Sequence, residues 1–275
     1  MKKLLWYTVL TALAAVMIYP LLWLAGASLK TNGEIFSSVW FLPEHPDFSA
    51  YRSAWETVTP YTMGHYFLNT FLIIVPKTLF AVLSSVLVAY GFARFDFPLK
   101  KVWFALLMGV MFMPSIVTVM PTYLMWSKLG LLDTYIPLTI PALFASEGVF
   151  VFMLIQFMKG VPREFDEAAR IDGCGTIGTL FYILLPCIRP VIVSICVFTF
   201  LWTMNDFLTP LIMISSVEKY PLSLVLRLSA DSTGDGYEQN RVLAMSVIGL
   251  IPSVAVFGLA QKKFVSGITA GGLSG

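Results

Sequence analysis

Residues 159–189, KGVPREFDEAARIDGCGTIGTLFYILLPCIR, interrupt a chain that is otherwise apolar over long stretches. Pro162 stands where a helix opens. Glu164, Asp166 and Glu167 follow in the first turns, where carboxylates suit the positive end of the helix dipole; Arg170 lies later and Gly173 can take the left-handed stop. These signals predict a short helix of about three turns. Beyond Gly173, Thr176 is placed to cap a second helix, with Ile177, Leu180, Phe181 and Leu184 at helical spacing before Pro186. Phe165, Ala168, Ala169 and Ile171 give the first helix a small-residue surface with one bulky anchor, which lets another backbone approach closely. A helix lying flat on lipid is the competing explanation of the same pattern.

On either side of this segment lie apolar runs, at residues 4–29, 66–93, 102–126, 135–158, 190–214 and 242–264. Each is long enough to cross a bilayer, which takes about 20 residues of helix. The composition agrees: 57% of the 275 residues are hydrophobic and 12% charged, against roughly 25% charged in a soluble domain. Mean hydropathy is +0.80, and too few charges remain to coat a water-facing surface. The expected fold class is an all-α polytopic membrane protein with six transmembrane helices. The first run follows Lys2 and Lys3, and Ala25-Gly26-Ala27 offers a cleavage pattern. Its length exceeds the roughly 7 to 15 apolar residues of a signal peptide, which favours an uncleaved first span.

Lys and Arg in the short loops set the orientation. One side collects Lys2, Lys3, Arg94, Lys100, Lys101, Lys159, Arg163, Arg170, Arg189, Lys262 and Lys263. The other holds fewer bases and most of the acids, among them Glu34, Glu44, Asp47, Asp133, Glu218 and Glu238. Both termini and residues 159–189 are therefore expected in the cytoplasm, with 30–65 and 229–239 outside. The domain division expected is a first helix with its long external loop (1–65), a five-helix core (66–265) and a cytoplasmic tail (266–275).

Several function classes are excluded. A net charge of +2 without a basic run gives no track for a phosphate backbone, so nucleic acid is not an expected partner. His45 and His65 are the only histidines, too few for a histidine metal site or a Ser/His/Asp triad. Cys174, Cys187 and Cys196 are neither an even set nor at metal-ligand spacing. There is no G-x-x-x-x-G-K-[ST] phosphate loop, so no nucleotide is expected in this chain. No cofactor, metal or catalytic residue is expected, and the chain is not expected to be an enzyme.

Glu167-Ala168-Ala169, three residues, Gly173, nine residues, then Ile183-Leu184-Leu185-Pro186 matches the EAA loop, and the chain resembles the permeases of ABC importers that carry it. The likeness extends over almost the whole chain. Residues 89–95 (AYGFARF), 114–121, 128–135 (KLGLLDTY), Trp202 with Asn205-Asp206-Phe207 and Pro210, and 261–271 (QKKFVSGITAG) resemble the maltose-type carbohydrate uptake group, closest to its smaller six-span subunit. The resemblance implies a type I ABC importer transmembrane domain in which span one wraps a neighbour. It implies import of a mono- or oligosaccharide, polyol or related solute across the bacterial cytoplasmic membrane. It implies as partners a second, larger permease, two ATP-binding subunits or a homodimeric ATPase that uses ATP and Mg, and an extracytoplasmic solute-binding protein. It also implies that Glu167, Ala168, Ala169 and Gly173, with Phe165, Ile183, Leu185 and Pro186, couple the chain to that ATPase. One position departs from the pattern: many relatives have an arginine before the glutamine near the inner end of span four, and here Ile155 precedes Gln156.

Ionisable groups inside a span cost several kcal/mol unless they face a polar cavity or a partner. Lys77, Glu147 and Asp206 are such groups, and Asn69 and Asn205 add hydrogen-bonding capacity. The reading is that Glu147 and Asp206 accept hydroxyl hydrogen bonds from a sugar in the path, with Lys77 near enough to offset their charge. Helix-to-helix pairing is the plainer role for Lys77. Tyr123, Trp126 and Trp202 offer faces for sugar stacking, against the commoner use of such rings in packing. A secondary transporter would use the same buried charges, but it has no need of the EAA loop.

Overall fold

The computed structural model describes residues 2–56, 60–231 and 238–272. In chain order its helices are α1 (Lys2–Ala27), α2 (Asn32–Ser37), α3 (Ser49–Trp55), α4 (Met63–Arg94), α5 (Lys100–Met111), α6 (Ser115–Lys128), α7 (Ile136–Thr139), α8 (Gly148–Gly160), α9 (Glu164–Ile171), α10 (Thr176–Gly178), α11 (Leu185–Asn205), α12 (Leu208–Met213), α13 (Leu222–Asp231) and α14 (Gln239–Gly272). Among the described residues five helical segments are long and apolar enough to cross a membrane, and six if α5 and α6 are one bent span.

Prolines decide where the expected spans break. The run at 102–126 is two helices meeting at 102°, because Pro114 offers no N–H and disfavours helical geometry at Met113. The run at 135–158 passes from α7 through a tight 3₁₀ segment, Ile140–Phe144, to a left-handed Ala145 (φ 51) before α8 begins. Pro137 and Pro141 sit at the openings of those two pieces. The fifth run ends at Asn205 rather than 214, since the ring of Pro210 would meet the carbonyl of Asp206 in a continued helix. It also starts earlier than expected: α10, a wide π-type turn (Thr179–Leu184) and α11 form one continuous span from Thr176. The Leu185 N–H reaches the Leu180 carbonyl across that turn, which takes the backbone past Pro186. Thr176 is therefore not a cap, and that role falls to Gly175, without a side-chain bond.

The chain divides into two compact units, residues 1–68 with 221–252, and residues 69–220 with 253–275. α14 continues through Gly272. The stretch expected outside at 229–239 lies partly beyond the described residues. In the N-terminal unit Lys30 is fully buried, its ammonium donating to the Ser38 and Trp40 carbonyls, and Gly26 packs so tightly under the Phe41 carbonyl that a Cβ has no room.

The second unit holds the main core. Ala81, Ala89 and Tyr90 of α4 meet Phe150, Leu154, Ile155 and Met158 of α8 and Leu180, Leu184, Ile188 and Ile195 of the fifth span. Ile155 is wholly buried there. An apolar side chain suits that position, where an arginine would have to be paired or dragged out of water. A second cluster at the other end gathers Ile73, Trp126, Leu138, Met213 and Ile214.

Candidate functional site

The helix expected from residues 159–189 is α9, and its ends are set by local chemistry. Glu164, Asp166 and Glu167 occupy its first turn and Arg170 its last, each complementing the dipole. Gly173 has φ +80. Its N–H donates to the Arg170 carbonyl at 3.1 Å and the Cys174 N–H to the Ala169 carbonyl at 2.8 Å, the paired bonds of a Schellman stop. Ala169 is buried against the body, whereas Glu167 and Ala168 are exposed. Phe165 and Ile171 also point outward, Ile171 at 87% exposure. Ile183 is half-buried in the π-type turn, Leu185 packs against the main core, and Pro186 is exposed at the start of α11. The expected coupling residues thus separate into an outward face on α9 and a packed base below it.

That base is fastened to α4. Arg94 Nε lies 2.6 Å from Asp166 Oδ2, and Arg94 Nη2 donates to the Val161 carbonyl at 2.9 Å. Tyr90 Oη donates to the Thr176 carbonyl at 3.0 Å and its ring meets Phe95 edge-on. The Arg94 to Asp166 contact is a close charge pair rather than an aligned hydrogen bond, for neither Arg94 Nε nor Asp166 Oδ1 has a well-directed partner. A polar cleft of about 170 Å³ opens beside it, lined by Arg94, Arg163, Glu167 and Arg170 among others. A capped helix with apolar and acidic groups turned outward, over a charged cleft, can receive another protein and pass on a displacement.

The residues expected along a path are distributed differently. Asn69 is buried, and its amide nitrogen donates to the carbonyls of Glu218 at 2.8 Å and Tyr220 at 3.0 Å, so its hydrogens are spent on fastening a loop to α4. Asn205 donates to the Leu201 carbonyl of its own helix at 2.7 Å. Asp206 lies at the break between α11 and α12, where its Oδ1 accepts the Thr209 N–H at 3.1 Å. Glu147 is not inside a helix but at the N-terminal boundary of α8, half-buried. Lys77 is half-buried on α4, one residue beyond Pro76. Among the described residues Lys77 forms no ion pair with Glu147 or Asp206. Trp202 stacks on Phe150 with centroids 5.2 Å apart, and Trp126 is buried in the second cluster. Both rings serve packing.

Residues 81–268 match the family described as the binding-protein-dependent transport system inner membrane component. The chain belongs to that family. It is a multi-pass membrane permease of a transport system, not an enzyme. The permease is 29% identical to the diacetylchitobiose uptake system permease protein of Streptomyces coelicolor, over 94% of its own length and 84% of the relative's. It is 30% identical to the arabinooligosaccharides transport system permease protein of Halalkalibacterium halodurans, over 96% and 93%, and 29% identical to the melibiose/raffinose/stachyose import permease protein of Bacillus subtilis, over 97% and 96%. Its fold is that of a chain in the crystal structure of a bacterial ABC transporter involved in the import of the acidic polysaccharide alginate, with a TM-score of 0.79 at 22% identity, over 95% of the permease and 96% of that chain.

Two polar assemblies of the permease escaped the sequence reading. One is the bracket of Arg94, Asp166 and Tyr90: the sequence shows Arg94 as a loop charge within the 89–95 likeness and Asp166 as a dipole partner, with nothing to join them. The other is a clasp at Asp133, whose carboxylate accepts the N–H groups of Ser215 at 3.0 Å and Ser216 at 2.9 Å, the Ser216 hydroxyl at 2.6 Å and the Lys219 ammonium at 2.8 Å. The bond to Lys219, then those to Ser216, hold the Asp133 carboxyl well below the usual carboxylate range. The signal available was Gly130 and Asp133 close together in 128–135, but nothing local names the partner loop.

Proposed function

We propose that this permease forms half of the membrane path of an ATP-driven importer for a sugar: a mono- or oligosaccharide, a polyol or a related solute. In this reading both termini and α9 face the cytoplasm, and a second, larger permease supplies the other half of the path. Two ATP-binding subunits, or a homodimeric ATPase, use ATP and Mg, and an extracytoplasmic binding protein delivers the solute. The observation that carries it is α9 itself: a helix stopped by Gly173 and fastened below by Arg94, which leaves Glu167, Ala168, Phe165 and Ile171 free for a docking partner. The names of the similar permeases, which concern diacetylchitobiose, arabino-oligosaccharides and raffinose-type sugars, support the solute class.

Glu147 and Asp206 are the groups proposed to accept solute hydroxyls, with Lys77 as the neighbouring charge, while Asn69 and Asn205 already spend their amide hydrogens on backbone carbonyls. Glu147→Gln keeps the side-chain volume and one acceptor, and is expected to raise the KM for uptake about tenfold, the loss of roughly 1.4 kcal/mol from one charge-assisted hydrogen bond. Unchanged kinetics would remove Glu147 from the path. For the function as a whole, the assembled complex in proteoliposomes is offered labelled oligosaccharides. Uptake that requires both the binding protein and ATP supports the proposal, whereas uptake that ignores ATP and collapses with a proton uncoupler overturns it.

A further inference from the structure

The chain itself joins α9 to α8 on one side and to the fifth span on the other. α4 has no such link, and reaches α9 through side chains alone. Those side chains are arranged as a bracket. Val161 precedes α9, Asp166 lies within it and Thr176 follows it; the last two turns of α4 hold all three, through Arg94 Nη2, Arg94 Nε and Tyr90 Oη. The side chain of Arg94 is 6% exposed and that of Asp166 20%. In such surroundings the two charges attract strongly, and parting them leaves a buried charge uncompensated. Because the Nε contact is not a directed hydrogen bond, the attraction survives small rotations of α9, while the bond to Val161 fixes the pivot.

At the far end of α4 the same device recurs. The Asn69 amide holds the Glu218 and Tyr220 carbonyls, and from Asn69 to Arg94 the helix runs about 38 Å without a break. Pro76, two turns beyond Asn69, removes one backbone bond and supplies a place to flex, next to Lys77. A displacement of α9 therefore has a continuous physical route along α4, past Pro76, to the loop at 217–220.

We infer that Arg94 and Asp166 are positioning residues that make α4 a third output of the coupling helix, carrying its movement to the opposite face of the membrane. The inference rests on the proposed docking of α9 on an ATPase. A role confined to folding would lower transport and hydrolysis together, whereas this role sets how much solute moves per ATP.

The test uses the complete complex of permeases, ATPase and binding protein in proteoliposomes, with solute uptake and ATP hydrolysis measured on the same vesicles. Arg94→Gln and Asp166→Asn are each expected to lower the ratio of solute moved to ATP hydrolysed about tenfold, and Tyr90→Phe about twofold. The exchanged pair, Arg94→Asp with Asp166→Arg, restores the charge attraction but not the bond to Val161, and is expected to raise the ratio about threefold above either single variant. Parallel loss of uptake and hydrolysis, or an exchanged pair no better than either single variant, overturns the inference. If Arg94→Gln fails to assemble, Tyr90→Phe and Arg94→Lys decide, and an unchanged ratio in both overturns it. The docking itself is read separately by cross-linking from Ala168→Cys. Absence of a cross-link to the ATPase defeats the docking, whereas a cross-link with an unchanged ratio defeats only the role of α4.

Discussion

Asp133 has φ 56, a left-handed conformation that costs a residue with a Cβ about 1 to 2 kcal/mol. Its carboxylate offsets that cost by collecting two backbone N–H groups, a hydroxyl and an ammonium, and its own N–H donates to the Met213 carbonyl at 2.8 Å. With side-chain exposures of 29% for Asp133 and 37% for Lys219, solvent screens part of the charge attraction, and the hydrogen bonds do most of the holding. Since the folded-state carboxyl titrates below its unfolded value of 3.8, the clasp's stabilisation is complete above that value and is lost as pH falls through the folded one. The melting temperature of the purified complex is therefore expected to drop on acidification from about pH 5 to about pH 3. Asp133→Asn should melt a few degrees lower at neutral pH and lose that part of the acid slope. Parallel wild-type and variant curves across the range would show that Asp133 contributes nothing by its charge.

At the scale of an element, α9 depends on how it stops. A Cβ on Gly173 would meet nothing within 4 Å, so the cost of Gly173→Ala is purely the left-handed backbone, about 1 kcal/mol. That is enough to fray the last turn of a helix of eight residues. The expected outcome is near-normal assembly with ATPase stimulation by the loaded binding protein reduced about fivefold, and full stimulation would mean that the stop does not matter for coupling. This element was legible because every signal for it is local: the acids, Arg170 and Gly173 lie within one short stretch. The spans were legible for the same reason, since hydropathy sums over neighbours. Their breaks were not. Whether Pro114, Pro141 and Pro210 bend a helix or end it depends on what catches the freed backbone groups, as Asp206 does for Thr209. The roles of Asn69, Arg94 and Asp133 were also hidden, because each partner lies on a distant segment that only the fold brings near.

Over the whole molecule the apolar surface is unevenly used. Only 6% of the most apolar window of α1 is buried inside the chain, against 44% for the span at Ile136–Gly160. Leu4, Leu5, Val16 and Met17 are all largely exposed. Such faces are stable only against lipid or a neighbouring subunit, as expected for a permease that works in an assembly. The proposed orientation of that assembly rests on the bias of Lys and Arg toward the side of α9, and three native cysteines provide its test. Cys174 sits beside α9, Cys187 is exposed at the start of α11, and Cys196 is half-buried further along the same helix, about 14 Å deeper than Cys187. In vesicles washed free of peripheral subunits, a membrane-impermeant maleimide is expected to modify Cys174 and Cys187 only when the cytoplasmic face is turned outward. Cys196, half-buried within the span where a charged reagent is excluded, should stay unmodified in both orientations. Labelling of Cys174 or Cys187 from the outside of intact cells would invert the topology, and with it the side from which α9 could meet an ATPase.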